Sequence, residues 1–134
     1  MAQFSKKSLD KLSTVHTDLI TLFSECVKHR DCTVTSGLRT REEQQALYAQ
    51  GRTTDGNIVT YKDGIDRRSN HQTGDAVDVV PYPTMWSDIE ELKSFGNFVQ
   101  GLAIGLKKCG LIQSNITWGG DWSFKDYPHY EIKT

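Results

Sequence analysis

The chain has 134 residues, 37% of them hydrophobic, with no internal repeat or low-complexity tract, and this fits a single compact domain over 1–134 with no separate binding domain. Its 16 Lys and Arg against 17 Asp and Glu give a net charge of -1, which excludes the basic footprint of a nucleic-acid binder. No apolar run is long enough to span a bilayer, and the N-terminus lacks the charged-then-apolar profile of a signal peptide, so cytoplasmic synthesis without direct membrane insertion is expected.

Leu9, Leu12, Val15, Leu19, Leu22, Phe23, Cys26 and Val27 recur at three- and four-residue steps, which predicts an amphipathic helix from about Ser8 to His29. Thr14-Val15-His16-Thr17 is poor helix, and Thr17 followed by Asp18 can cap a second segment, so a break is expected there. His16 and His29 read as exposed or capping rather than as ligands. Cys26, Cys32 and Cys109 show no C-x-x-C spacing and read as buried, reduced thiols.

Cys32-Thr33-Val34-Thr35-Ser36 alternates like a strand, and Gly37-Leu38-Arg39 leads out of it. A helix then starts at Thr40, which forms a capping box with Glu43, and Gly51 is placed to end it. Arg39 stands at the strand-to-helix junction, where an arginine is either a solvated charge or projects into a cleft. From Arg52 to Asn70 the chain is polar, with turn signals at Asp55-Gly56-Asn57 and Lys62-Asp63-Gly64 around Ile58-Val59-Thr60-Tyr61. This stretch reads as a wall or flap of a binding cleft with room for a short hairpin. Asp55, Asp63 and Asp66 offer oxygen ligands for calcium, but no motif supports it and a solvated loop is the default.

Ser69 to Asp78 follows, with His71 and Asp78 seven residues apart across Gly74. Both are zinc-ligand types, but seven extended residues span more than ~20 Å, so a turn at Gly74 must bring them together. Ala76 to Val80 reads as a short buried strand beneath Asp78. A helix is predicted from Ser87, boxed with Glu90, to about Cys109, with Ile89, Leu92, Phe95, Phe98, Val99, Leu102, Ile104 and Leu106 on its apolar side. Gly96, Gly101 and Gly105 weaken it by about 1 kcal/mol each, which suggests close packing. The tail has a hairpin pattern, Ile116-Thr117-Trp118 returning through His129-Tyr130-Glu131-Ile132, with Trp118 a core aromatic. A catalytic zinc takes three protein ligands and an open position, and the third is sought near Asp126 and His129, where a carboxylate can sit beside the metal water.

These residues resemble the zinc peptidases that cut peptidoglycan stem peptides, comprising D-alanyl-D-alanine carboxypeptidases and dipeptidases and the phage L-alanyl-D-glutamate endolysins. The shared motifs are S-x-H-x-x-G-x-A-x-D from Ser69 to Asp78, S-G-x-R from Ser36 to Arg39 followed by Gln44, G-x-D-W from Gly119 through Asp121 to Trp122, and acidic-x-x-H from Asp126 to His129. The resemblance implies an α+β fold, a small antiparallel sheet carrying a zinc site and packed against helices. It implies one zinc ion on His71, Asp78 and His129, Asp126 as general base, Arg39 stabilising the oxyanion, and supporting roles for Ser69, Gln44, Asp121 and Trp122. Aspartate followed by Tyr127-Pro128 resembles the endolysins and favours the L-Ala-D-Glu bond. A D-Ala-D-Ala carboxypeptidase is the alternative, and an inactive zinc-bearing peptidoglycan-binding module a second. The implied setting is a monomer held in the host cytoplasm until a holin opens the inner membrane to the periplasmic peptidoglycan.

Overall fold

The computed structural model describes residues 2–133, which form four helices and a four-stranded sheet. The elements in chain order are α1 (Lys6–Leu12), α2 (Thr17–His29), β1 (Cys32–Ser36), α3 (Arg41–Ala49), β2 (Ala76–Pro81), α4 (Ile89–Lys108), β3 (Asn115–Trp118) and β4 (His129–Lys133). The sheet order is β1-β2-β4-β3 and every neighbouring pair is antiparallel, so the α+β expectation holds. Among the described residues, no helix is long and apolar enough to cross a membrane.

One face of the sheet is covered by α2 and α4. Leu19, Leu22, Phe23 and Cys26 from α2 meet Val77, Val79, Phe95, Val99 and Tyr130 in one continuous core, all of them fully shielded from solvent. Each fully buried side chain of this size contributes roughly 1.5–3 kcal/mol, so this layer fixes β2 and β4 from below. The expected break before α2 is real, but the cap is His16: its Nδ1 accepts from the Asp18 N–H at 2.9 Å. Here an imidazole nitrogen takes the place of the hydroxyl or carboxylate that usually satisfies a free helix N–H.

Several expectations need correction. α4 is capped by Asp88, whose Oδ1 accepts from Glu91 N–H, because the Ser87 hydroxyl is spent on the Thr84 carbonyl in the preceding turn. Of the three α4 glycines, only Gly96 meets a neighbour: a Cβ there would lie 2.2 Å from the Trp118 ring, whereas Gly101 and Gly105 face open space. Ile89 and Ile104 face solvent, as does Cys109 at the helix end. Ile58 to Tyr61 form no strand, so the 52–68 segment holds no hairpin. It is fastened instead by side chains: Gln50 donates to Asn57 O, and Arg52 donates to Tyr48 O and Thr60 O.

Candidate metal centre

His71, Asp78 and His129 come from three separate segments and meet at the edge of the core. Asp78 and His129 are directly opposed in the β2–β4 pairing. His71 lies in a 3-10 turn, Asn70–Gln72, whose first free N–H groups are satisfied by Ser69: its Oγ accepts from His71 N–H at 3.2 Å while its own N–H donates to Gln72 Oε1. Gly74, at φ +80°, then reverses the chain into β2, a conformation that costs other residues strain. The expected turn therefore brings His71 and Asp78 together.

The three inward atoms form a nearly equilateral triangle. His71 Nε2 lies 3.2 Å from Asp78 Oδ1, His129 Nδ1 lies 3.4 Å from the same oxygen, and the two nitrogens are 3.2 Å apart. Ligands about 2.1 Å from a tetrahedral zinc are separated by about 3.4 Å, so these edges fit that ion. The outer nitrogens set the tautomers. His71 Nδ1 sits 3.0 Å from Gly37 O and His129 Nε2 sits 2.6 Å from Glu131 Oε1, so each outer nitrogen carries the proton and each inner one a lone pair. Asp78 Oδ1 is buried without a hydrogen-bond partner. Three lone pairs facing one another demand a cation, and the donor set of two imidazoles and a carboxylate suits zinc.

Without a metal, a proton takes that place. Burial would lower the His129 pKa, but the Asp78 and Glu131 carboxylates outweigh it and raise it to about 9. Burial likewise works to raise Asp78, and the two histidines outweigh it and hold the carboxyl well below its usual range. Glu131 is also held low against its burial, by His129 and by the Asn70 amide, which donates to Oε2 at 2.8 Å.

Asp126 approaches from the inner side, its Oδ2 3.8 Å from His129 Nδ1. Burial first, and then the charge of Asp78, push its carboxyl above the usual range. Its place is set by backbone: Asp126 N–H donates to Gly119 O, His129 N–H donates to Asp126 O, and a Cβ on Gly119 would stand 2.2 Å from that same Asp126 oxygen. Trp118 Nε1 donates to Tyr127 O at 2.7 Å, tying the loop to the core.

Arg39 closes the other side. Its N–H donates to His71 O at 2.8 Å, and its guanidinium donates to Gln44 Oε1 at 2.7 Å and to Ser36 Oγ at 3.2 Å while lying 3.7 Å from Asp78 Oδ2. Burial lowers its pKa, opposed by Asp78, Glu43 and Asp126; a guanidinium stays charged regardless. Gln44 is fully buried, and its amide donates onward to Lys62 O and Thr60 Oγ1 in the 52–68 segment.

His71, Asp78, His129, Asp126, Arg39, Ser69, Asn70 and Glu131 line a cavity of about 760 Å³, whose wall also includes Ile58, Val59, Thr60, Trp122 and Phe124. Trp122 leans on the His129 ring, centroids 4.9 Å apart, and Phe124 meets Tyr61 edge-on, centroids 5.4 Å apart. Asp121 is not part of this constellation: it is exposed and accepts from Gln100 Nε2 on α4. Asp55, Asp63 and Asp66 do not converge either, and Asp63 Oδ1 closes a turn by accepting from Ile65 and Arg67 N–H. Glu131 and Asn70 were not foreseen as supports. Their signal was present, since residues 129 and 131 of one strand share a face.

The sequence profile of the phage L-alanyl-D-glutamate peptidases matches residues 1–134. The chain belongs to that family. Among similar proteins, the peptidoglycan L-alanyl-D-glutamate endopeptidase CwlK of Bacillus subtilis is 40% identical over 104 residues, covering 76% of this chain and 60% of the relative. The L-alanyl-D-glutamate peptidase of Escherichia phage T5 is 28% identical over 133 residues, covering 98% of this chain and 89% of that one. The chain thus spans under two thirds of the length of the first and most of the second. The fold is also that of the L-Ala D-Glu endopeptidase ChiX of Serratia marcescens, with a TM-score of 0.71, 24% identity, and coverage of 98% of this chain and 91% of that one. It is shared more loosely with the vancomycin-resistance D,D-pentapeptidase VanY, solved with Zn(II), at a TM-score of 0.54, 17% identity, and coverage of 90% and 70%.

Proposed function

We propose that this chain is a zinc-dependent endopeptidase that hydrolyses the L-Ala-D-Glu bond of the peptidoglycan stem peptide, as the names of its family and relatives suggest. The observation that carries the reading is the triangle of inward lone pairs on His71, Asp78 and His129, flanked by Asp126 and Arg39. His71 Nε2, Asp78 Oδ1 and His129 Nδ1 would hold one zinc ion. When bound, zinc supplies Lewis acidity, bringing the pKa of a water down to about 7 and polarising the scissile carbonyl.

The chain's own groups do the rest. Asp126 takes the proton of the attacking water and passes it to the leaving amine, work usually worth about 10²- to 10⁴-fold. In the metal-free site burial and the charge of Asp78 raise its pKa. Arg39, held by Gln44 and Ser36, presents a fixed cation to the oxyanion that develops on the carbonyl. Ser69 supports the His71 turn and Trp122 the His129 ring. Glu131 faces the outer nitrogen of His129 and Asp121 lies outside the cavity, which supports Asp126 over either of them as the base. As an endolysin, the protein would act as a monomeric catalytic domain on periplasmic peptidoglycan after a holin releases it from the host cytoplasm.

Digestion of purified Gram-negative sacculi tests the bond. New glutamate amines, with L-alanine left on muramic acid and the glycan intact, are expected by mass spectrometry. Free D-alanine without new glutamate amines would assign the D-Ala-D-Ala carboxypeptidase activity instead, and new reducing sugar ends would refute a peptidase.

A further inference from the structure

Glu131 is tied at both ends. Oε1 accepts from His129 Nε2–H at 2.6 Å, and Oε2 accepts from the Asn70 amide at 2.8 Å. Asn70 immediately precedes His71, and its backbone carbonyl accepts from Asp75 N–H at 3.0 Å, so it belongs to the turn that delivers the first ligand. On β4, Glu131 shares a face with His129, and the residue opposite it on β2 is Ala76, whose small side chain leaves the carboxylate room. One bridge thus runs from the His71 turn through Asn70 and Glu131 to the outer nitrogen of His129.

We infer that Glu131, oriented by Asn70, is the positioning residue that makes His129 a ligand through Nδ1 and locks the spacing between the two histidine-bearing segments. The inference deepens the proposed zinc-peptidase reading and rests on it. A histidine can meet a metal through either nitrogen, and the hydrogen bond on the other decides which. If the outer bond is lost, rotation about the Cβ–Cγ bond exchanges the two edges of the ring, and the triangle with His71 Nε2 and Asp78 Oδ1 is no longer prepared.

The test is zinc affinity by competition with a chromophoric chelator, together with long-range ¹H–¹⁵N spectra of the zinc-loaded protein. Parent spectra should show His129 with Nε2 protonated and Nδ1 on the metal. E131A should weaken zinc binding by about 10- to 100-fold. E131Q keeps an acceptor for Nε2–H and should lie within a few-fold of the parent, and N70A should fall between the two. D121A, which alters an exposed side chain outside the cavity, should bind zinc as the parent does. Coordination of His129 through Nε2 in the parent, or parent-like affinity in E131A, would overturn the inference, as would an E131Q as weak as E131A. Should E131A fail to fold, N70A and E131Q decide by the same affinities. A parent that binds no zinc would instead remove the functional reading itself, whereas a parent that binds zinc and cleaves sacculi beside an unaffected E131A removes only this one.

Discussion

Removing the metal gives the site a sharp dependence on pH. In the metal-free protein His129 has a pKa raised to about 9, and its inner nitrogen is the one the ion would need. Zinc must therefore displace a proton at neutral pH. With a pKa two units above pH 7, about one site in a hundred is free of that proton, so apparent affinity at pH 7 should be about 100-fold below its alkaline limit. Between about pH 6.5 and 9 it should rise close to tenfold per unit, with about one proton released per zinc, and flatten above. Stability of the metal-free protein moves the other way. The folded pKa lies above the unfolded value of 6.5, so the contribution, on the order of 3 kcal/mol, is fully present below pH 6.5 and lost as pH rises through 9. Calorimetry in buffers of different ionisation enthalpy counts the protons, and denaturant melts of the metal-free form read the stability. Zinc binding with no proton uptake by the buffer near pH 7.5, or a metal-free form whose stability is flat from pH 6.5 to 9, would refute the converging lone pairs.

Further outcomes follow from individual residues. His71→Ala, Asp78→Ala and His129→Ala should each lose zinc and activity, because three ligands leave no redundancy, and metal analysis of the purified variants checks it. Asp126→Ala should keep zinc but lower turnover at least about 100-fold, while Tyr127→Phe stays near parent in a sacculus-clearing assay. Gly96→Ala should destabilise by about 1–3 kcal/mol by driving a methyl into the Trp118 ring, whereas Gly101→Ala, facing open space, should stabilise by up to about 1 kcal/mol; paired thermal melts compare them.

What could be read from the sequence was whatever is encoded locally. The capping box of Thr40 and Glu43, the break before α2, the turn at Gly74, the alternation of β1 and the short buried run of β2 each depend on residues within a few positions, and each is present. The pairing of β2 with β4 is different in kind. It brings Asp78 opposite His129 across some fifty residues, and no spacing in the chain specifies it. For the same reason the third ligand was found by motif resemblance rather than by geometry. Ser87 and Asp88 are both good caps, and the choice fell to the Thr84 turn, a tertiary detail. Gly96, Gly101 and Gly105 look alike in the sequence; only the position of Trp118 makes the first one different.

The site divides into a half fixed by the sheet and a half fixed by polar side chains. Asp78 and His129 stand on paired strands over a shielded core, so their separation follows from backbone hydrogen bonds. Arg39 and the 52–68 wall have no such ladder. Both depend on Gln44, whose oxygen takes a hydrogen bond from the guanidinium while its amide nitrogen donates to Lys62 O and Thr60 Oγ1. That assignment admits one amide orientation, since the flipped form would set an NH₂ against an arginine N–H and an oxygen against a carbonyl. A fully buried amide with all these partners satisfied is costly to disturb. The Arg39 guanidinium and the 52–68 wall of the cavity are consequently tied to the same buried side chain, so a disturbance of Gln44 reaches both.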